Sequence, residues 1–286
     1  MQLGIFAKTF VRPTLAAVLD AVKAHGLDYV QFNMACAGLP SMPDRIDPKL
    51  CDGIHQEMLA RNLTMVAVSG TFNMIHPDLN ERQRGLRRLG ILAAACRRLG
   101  TSVITLCTGT RDPNDKWRYH PDNASPEAWR DLVVSMQSAL GIAREHDVTL
   151  AIEPEVSNVV DSAVKARRLL DEMQSPNLKI IMDAANLFPV GTLQHQHRVL
   201  DEAFSLLGED IILAHAKDLS RDGEAGQEAA GTGLLDYDDY LSLLQTSGFN
   251  GPLLLHSLAE SQVDQAVKFL QQRLAVQGSA RLNGSQ

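Results

Sequence analysis

Four of the apolar runs that are typical of buried strands end in a side chain able to bind a metal ion or carry a proton. If these strand ends meet at one rim, their negative charges repel each other, and a divalent cation removes that cost. Two carboxylates and two imidazoles form a mixed donor set that suits Mn, Zn, Co or Fe, with Mg as a further choice. The sequence therefore predicts one divalent metal ion, whose identity it leaves open. The four expected ligands are Glu153 in "LAIEPE", Asp183 in "IIMDAANLF", His215 in "ILAHAKD" and His256 in "PLLLHS".

The elements that position these residues follow a regular order along the chain. Short apolar runs alternate with longer helical patterns, and strands that are apolar throughout are typical of a parallel sheet covered on its faces. Eight such units predict an α/β fold, a single (β/α)₈ TIM barrel over residues 1–275. An open doubly wound sheet is the alternative, but it predicts a glycine-rich phosphate loop after the first strand, where "FAKTFVRP" stands.

Helix boundaries are predicted from capping residues and breakers. Thr14 and Ser125 are expected to cap the first and fourth helices, and the fifth helix is expected over 159–173. The last amphipathic helix is predicted to end at Ala275, with a disordered tail over residues 276–286.

Composition narrows the class of protein. The net charge of −7 disfavours a nucleic-acid partner, since such partners require a basic face. The N-terminus lacks a basic segment followed by an apolar core, and no apolar run is long enough to cross a membrane, so a cytoplasmic protein without membrane contact is expected. The four cysteines form no CxxC pair and fit free thiols in a reducing compartment.

Other residues are candidates for substrate binding at the same rim. Lys217 lies two residues past His215 and points to the same side of an extended strand. There it is expected to bind a substrate oxygen or phosphate, or to form a salt bridge with Asp218 or a neighbour. His76 follows the third strand. The long loop after the fourth strand, typical of a lid or binding loop, contains Trp117 and His120.

The order of the motifs "MDAAN", "HAKD", "GTG" and "GPLLL" resembles the sugar phosphate isomerase/epimerase family of xylose isomerase-like TIM barrels, over about residues 1–275. The resemblance implies that Glu153, Asp183 and His215 are three of four ligands to one divalent metal. The family's fourth ligand is usually a glutamate, where this chain has His256. The family often has a histidine where this chain has Asn186, which is therefore a further candidate for substrate binding.

The resemblance implies a metal-dependent isomerase or epimerase of carbohydrate metabolism, acting on a small ketose or keto-polyol by proton transfer through a metal-bound enediolate. Glu153 would take the proton, and His256 would either bind the metal or return the proton. Two alternatives stay open, an inosose-type dehydratase on the same metal site and a non-catalytic sugar-binding barrel. The expected partner is a sugar or polyol, and the sequence leaves homo-oligomer formation open.

Overall fold

Eight parallel strands close into a barrel surrounded by eight helices in the computed structural model, which describes the backbone of residues 1–283 and the side chains of residues 1–276. Pairing of the sixth strand with the seventh closes the ring, which confirms the predicted (β/α)₈ TIM barrel. The barrel strands are β1 (Leu3–Phe6), β2 (Tyr29–Phe32), β3 (Thr64–Ser69), β4 (Val103–Cys107), β5 (Thr149–Glu153), β6 (Leu178–Asp183), β7 (Ile211–Asp218) and β9 (Leu253–Leu255).

The helices alternate with the strands and bury one face against the outside of the barrel, where apolar side chains of both layers form the main core. A two-residue strand, β8 (Glu228–Ala229), pairs antiparallel with the end of β7. The helices are α1 (Leu15–Ala24), α2 (Pro48–Leu59), α3 (Leu79–Leu99), α4 (Pro126–His146), α5 (Ala163–Met173), α6 (Gln196–Leu207), α7 (Tyr237–Thr246) and α8 (Val263–Asn283).

Two predicted helix caps are confirmed. The Thr14 hydroxyl accepts a hydrogen bond from the backbone N–H of Ala17, and the Ser125 hydroxyl accepts one from the N–H of Ala128. Each hydroxyl satisfies a backbone donor that has no partner inside its helix, so these two side chains fix where α1 and α4 begin.

The fifth helix begins later than the predicted Val159. The N–H of Val159 donates to the carbonyl of Gly109 at 2.9 Å, which ties this segment to the loop after β4 instead of to a helix. Ser162 then caps α5 by accepting from the N–H of Lys165.

The last helix does not end at Ala275, because α8 continues to Asn283. This segment contains no proline, so its backbone hydrogen bonds can continue past the last packed turn. The disorder predicted for residues 276–286 stays a prediction, and residues 284–286 lie outside the described part of the chain. Within that part, no helix is both long and apolar enough to cross a membrane.

Candidate active site

An apolar layer inside the barrel sets the direction of the candidate ligands. Ala151, Ile181, Leu213 and Leu254 pack together on the barrel axis. Because side chains alternate along a strand, the residue two positions further on each strand points to the same side. Those residues stand at the carboxyl ends of the strands, where TIM barrels place their active sites. They are Glu153, Asp183, His215 and His256.

Asp183 and His215 are register partners on neighbouring strands, so their side chains lie next to each other. Asp183 Oδ2 and His215 Nδ1 are 3.4 Å apart. Both atoms are buried and, among the described residues, have ion-pair contacts but no hydrogen-bond partner. Buried polar atoms are normally satisfied, so two adjacent ones that lack hydrogen bonds fit a site for a cation.

His256 completes a possible metal site. Its ring stacks on that of His215 with the ring centroids 4.5 Å apart. One donor atom from each of Asp183, His215 and His256 lies within 4.8 Å of the other two. One carboxylate and two imidazoles suit a divalent transition metal, so these residues fit the ion that the sequence predicts.

Gln31 fixes the orientation of the His215 ring from the other side of the barrel. His215 Nε2 lies 2.9 Å from Gln31 Oε1, and both side chains are buried. The amide oxygen can only accept, so Nε2 must carry a hydrogen and Nδ1 is the nitrogen left to face the carboxylates. Gln31 is a functional candidate that the sequence did not indicate.

Glu153 lies at the edge of this cluster. Its Oε2 is 3.6 Å from His215 Nδ1, and its Oε1 accepts a hydrogen bond of 2.5 Å from the Asn186 amide. The carboxylate also lines the main cavity of the barrel mouth. The carboxylate can therefore lie beside a bound metal ion or exchange a proton with a substrate. Its role as a metal ligand stays a prediction.

The pKa values in the cluster follow from burial and nearby charge. Burial would lower the pKa of His215, but Glu153 and Asp183 outweigh that effect and raise it to about 9. Burial would raise the pKa of Asp183, but Lys217 and the imidazoles hold it well below its usual range. Desolvation, followed by the charges of His215 and Lys217, lowers the pKa of His256 well below its usual range. His256 is therefore neutral and has a lone pair available to a metal ion.

Lys217 is buried and points into the site, as the strand alternation predicts. Its ammonium lies 3.2 Å from Asp183 Oδ2 and donates to the Asn186 side-chain oxygen at 2.7 Å. Asp218 instead accepts from backbone N–H groups of the following loop, including those of Leu219 and Leu235. Lys217 thus pairs with Asp183 and not with Asp218, and it lines the cavity.

Asn186 is buried next to two charged residues of the site. Its side chain has no exposed surface and joins Glu153 to Lys217, donating to the first and accepting from the second. The sequence predicts direct substrate binding by Asn186. The structure buries its side chain against the two charged residues that face the cavity, and its own contact with substrate stays a prediction.

Two predicted substrate-binding histidines do not line the main cavity. His76 uses both ring nitrogens locally, with Nε2 3.1 Å from the Pro113 carbonyl and Nδ1 accepting from the N–H of Asp78. His120 Nδ1 accepts from the N–H of Asp122 and caps a short 3₁₀ turn. Both residues therefore have local backbone partners, and substrate binding by either of them stays a prediction. Trp117 does line the cavity.

Glu155 is a second carboxyl group in the cavity that the sequence reasoning missed. The cavity has a volume of about 490 Å³, and both Glu153 and Glu155 line it. Burial, followed by the charge of Glu153, raises the pKa of Glu155 to about 8. Proximity in the sequence was the available signal, since Glu155 lies two positions after Glu153 in "LAIEPE".

Comparison with known proteins agrees with this architecture. The L-ribulose 3-epimerase structure is 15% identical over 100% of this chain and 99% of that one, with a TM-score of 0.76. The IolI protein with a bound zinc atom is 18% identical over 94% and 95% of the two chains, with a TM-score of 0.70. The probable 3-DHS dehydratase AsbF from Bacillus anthracis is 14% identical over 95% and 99%, with a TM-score of 0.72.

These identities are low enough that the likeness shows the fold alone. Comparison with curated protein sequences gave no match. A family model does match, and it covers residues 19–273, which is most of the barrel. The chain therefore belongs to the xylose isomerase-like TIM barrel family.

Proposed function

We propose that the chain is a divalent-metal-dependent isomerase or epimerase of a small ketose or keto-polyol. The observation that carries this proposal is the arrangement of the cavity, where the carboxyl groups of Glu153 and Glu155 face the same space beside a cluster of metal-binding side chains. The family match supports an enzymatic role.

The metal site would consist of Asp183, His215 and His256, with Glu153 beside it. A divalent ion bound there would supply a Lewis acid that polarises a substrate carbonyl and acidifies the neighbouring C–H bond. His256 belongs to this site and not to the proton-transfer machinery, because its lowered pKa makes it a poor proton carrier near neutral pH.

The two glutamates, Glu153 and Glu155, carry out the proton transfer. Asn186 orients the Glu153 carboxylate towards the cavity, where it can remove a proton from the carbon next to the carbonyl. Glu155 has a pKa of about 8 and holds a proton at neutral pH, so it can donate one. Lys217 is positioned to donate a hydrogen bond to a substrate oxygen as negative charge develops.

The fold of the L-ribulose 3-epimerase supports an epimerase reaction, and the zinc atom in the IolI protein supports a metal site in this kind of barrel. A dehydratase is the second candidate. A base beside a protonated carboxyl group can also remove a proton and then protonate a departing hydroxyl. One structural neighbour, AsbF, is a probable dehydratase. A conjugated product with strong ultraviolet absorbance would distinguish dehydration from epimerisation.

The test is solvent exchange at the substrate carbon. Protein loaded with Mn, Co, Zn or Mg is incubated with a panel of ketoses in deuterium oxide, and deuterium next to the carbonyl is measured by mass spectrometry. We expect exchange with at least one ketose, and a loss of about 10²–10⁴-fold in Glu153→Gln, since this removes the base. Glu145→Gln, at the distant end of α4, is the matched control.

Full exchange activity in Glu153→Gln would contradict the assignment of this base. Ketose binding without exchange by any metal-loaded form would favour the non-catalytic sugar-binding barrel.

A further inference from the structure

The charge of the main cavity differs from that of the whole molecule. The chain has a net charge of −7, yet the charged side chains that line the cavity are three lysines and two glutamates. Lys217 pairs with Asp183. Lys8 and Lys116 also line the cavity, and neither forms a salt bridge with a carboxylate in the described part of the chain.

Lys116 is held in place by neutral groups. Its ammonium donates to the Thr71 carbonyl at 3.0 Å and lies 5.3 Å from the centre of the Trp117 ring. These contacts position the charge without neutralising it. The two arginines that line an adjoining smaller cavity do have acidic partners. Arg84 pairs with Glu81, and Arg88 pairs with Asp44.

The two lysines reach the cavity from different strands. Lys116 is bound to the segment that follows β3, and β3 lies four strands from β7, the strand of His215, in either direction around the ring of eight. Lys8 follows β1, which pairs with β9, the strand that leads to His256. Asn33 and Ser41, which follow β2, also line the cavity and add neutral polar groups to it.

We propose that Lys8 and Lys116 form a subsite in this cavity for an anionic group of the substrate, a carboxylate or a phosphate. The proposal rests on the proposed function, because the anion belongs to the substrate whose carbonyl faces the metal cluster. The substrate is then a keto sugar acid or a keto sugar phosphate and not a neutral ketose. Two ammonium groups that form no salt bridge with the protein favour an anion in the cavity that they line.

The experiment compares three probes that share a ketose body. D-fructose is neutral, 5-keto-D-gluconate has a carboxylate, and D-fructose 6-phosphate has a phosphate. Their dissociation constants for the metal-loaded full chain are measured by calorimetry at low ionic strength. We expect at least one anionic probe to bind about 10-fold or more tightly than D-fructose, and the two anionic arms identify which group fits.

Lys116→Gln should remove most of this preference and Lys8→Gln part of it, whereas Lys49→Gln, a lysine outside the cavity, should retain it. Equal affinity for all three probes, no binding of any probe, or a preference that survives in both cavity variants would overturn the subsite. Deuterium exchange into a neutral ketose by the wild-type protein is a separate readout. Exchange without any anion preference would leave the proposed reaction standing and reject only the subsite.

Discussion

At the residue scale, Gln31 is the side chain that decides which nitrogen of His215 faces the metal cluster. Gln31→Leu keeps the size of the side chain but removes the acceptor for His215 Nε2. We expect metal affinity to fall about 10- to 100-fold, as is usual when the partner of a ligating histidine is lost. Calorimetric titration with Mn or Zn measures it, and Gln56→Leu on the outer face of α2 is the control. Unchanged affinity in a folded Gln31→Leu protein would mean that the ring is oriented without Gln31.

Glu155 should make the stability of the metal-free protein depend on pH. Its pKa is raised from 4.5 to about 8 in the folded chain, so between these values the folded state holds a proton that the unfolded state has lost. Stability therefore falls as pH rises through this range. Glu155→Gln lacks this dependence, and we expect its stability relative to wild type to improve by more than about 1 kcal/mol from about pH 5 to pH 8.

Urea denaturation of both proteins after metal removal gives this difference directly. Glu145→Gln should show no trend, because Glu145 lies on the surface at the end of α4. A stability difference between Glu155→Gln and wild type that stays constant from about pH 5 to pH 8 would show that Glu155 is ionised in the folded state.

Residue types and spacing were sufficient to indicate the cluster of Asp183, His215 and His256 but not the partners of its members. Proximity to Glu153 in "LAIEPE" could have indicated Glu155. Gln31 could not have been found this way, because it stands 184 positions from His215 and only barrel closure brings the two together. His76 and His120 have local backbone partners in the structure, and substrate binding by either residue stays a prediction.

At the scale of elements, one ion-pair group anchors the loop after β4, which contains Lys116 and Trp117. Asp131 on α4 accepts from Arg82 on α3 and from Arg111 in the loop, each at 2.7 Å. Both arginine side chains are largely buried, so removing the shared carboxylate leaves two charges without their partner. We expect Asp131→Asn to lower the free energy of unfolding by about 2 kcal/mol, less than for a fully buried pair because Asp131 is partly exposed.

Urea denaturation measures the loss. Asp44→Asn, which breaks an exposed pair with Arg88, should leave the denaturation midpoint unchanged. Equal stability of Asp131→Asn and wild type would show that the loop is held instead by the Asn73 and Asn123 side chains, which also bond to its backbone.

The number and order of elements were predictable, because each unit has its own apolar strand and amphipathic helix. Caps such as Thr14 and Ser125 were predictable because they act over a few residues. The start of α5 was not, because Val159 is held by a carbonyl from the loop after β4. The contacts of the glycine-rich segment after β7 were not predictable either. The N–H of Gly226 donates to the Asn186 side-chain oxygen, and a Cβ at Gly226 would meet the Asp218 carbonyl.

At the scale of the whole molecule, closure of the barrel converts four separate strand ends into one site. The register that pairs Asp183 with His215 and His215 with Leu254 sets three neighbouring strands at the same height. The same closure sets β3, whose following segment holds Lys116, opposite β7. The fold class and the rim were therefore predictable from eight repeated units, whereas the position of Lys116 in the cavity was not.

The metal content of the chain bears most directly on the proposed function. Protein purified without chelators and without a histidine tag is analysed for metals, in parallel with Asp183→Asn, which changes the carboxylate of the cluster into an amide. We expect about one divalent transition metal per wild-type chain and a loss of most of it in the variant, because the carboxylate and the two imidazoles act together. A wild-type chain that holds no metal after incubation with Mn or Zn, or an Asp183→Asn chain that retains a full equivalent, would contradict the proposed metal site.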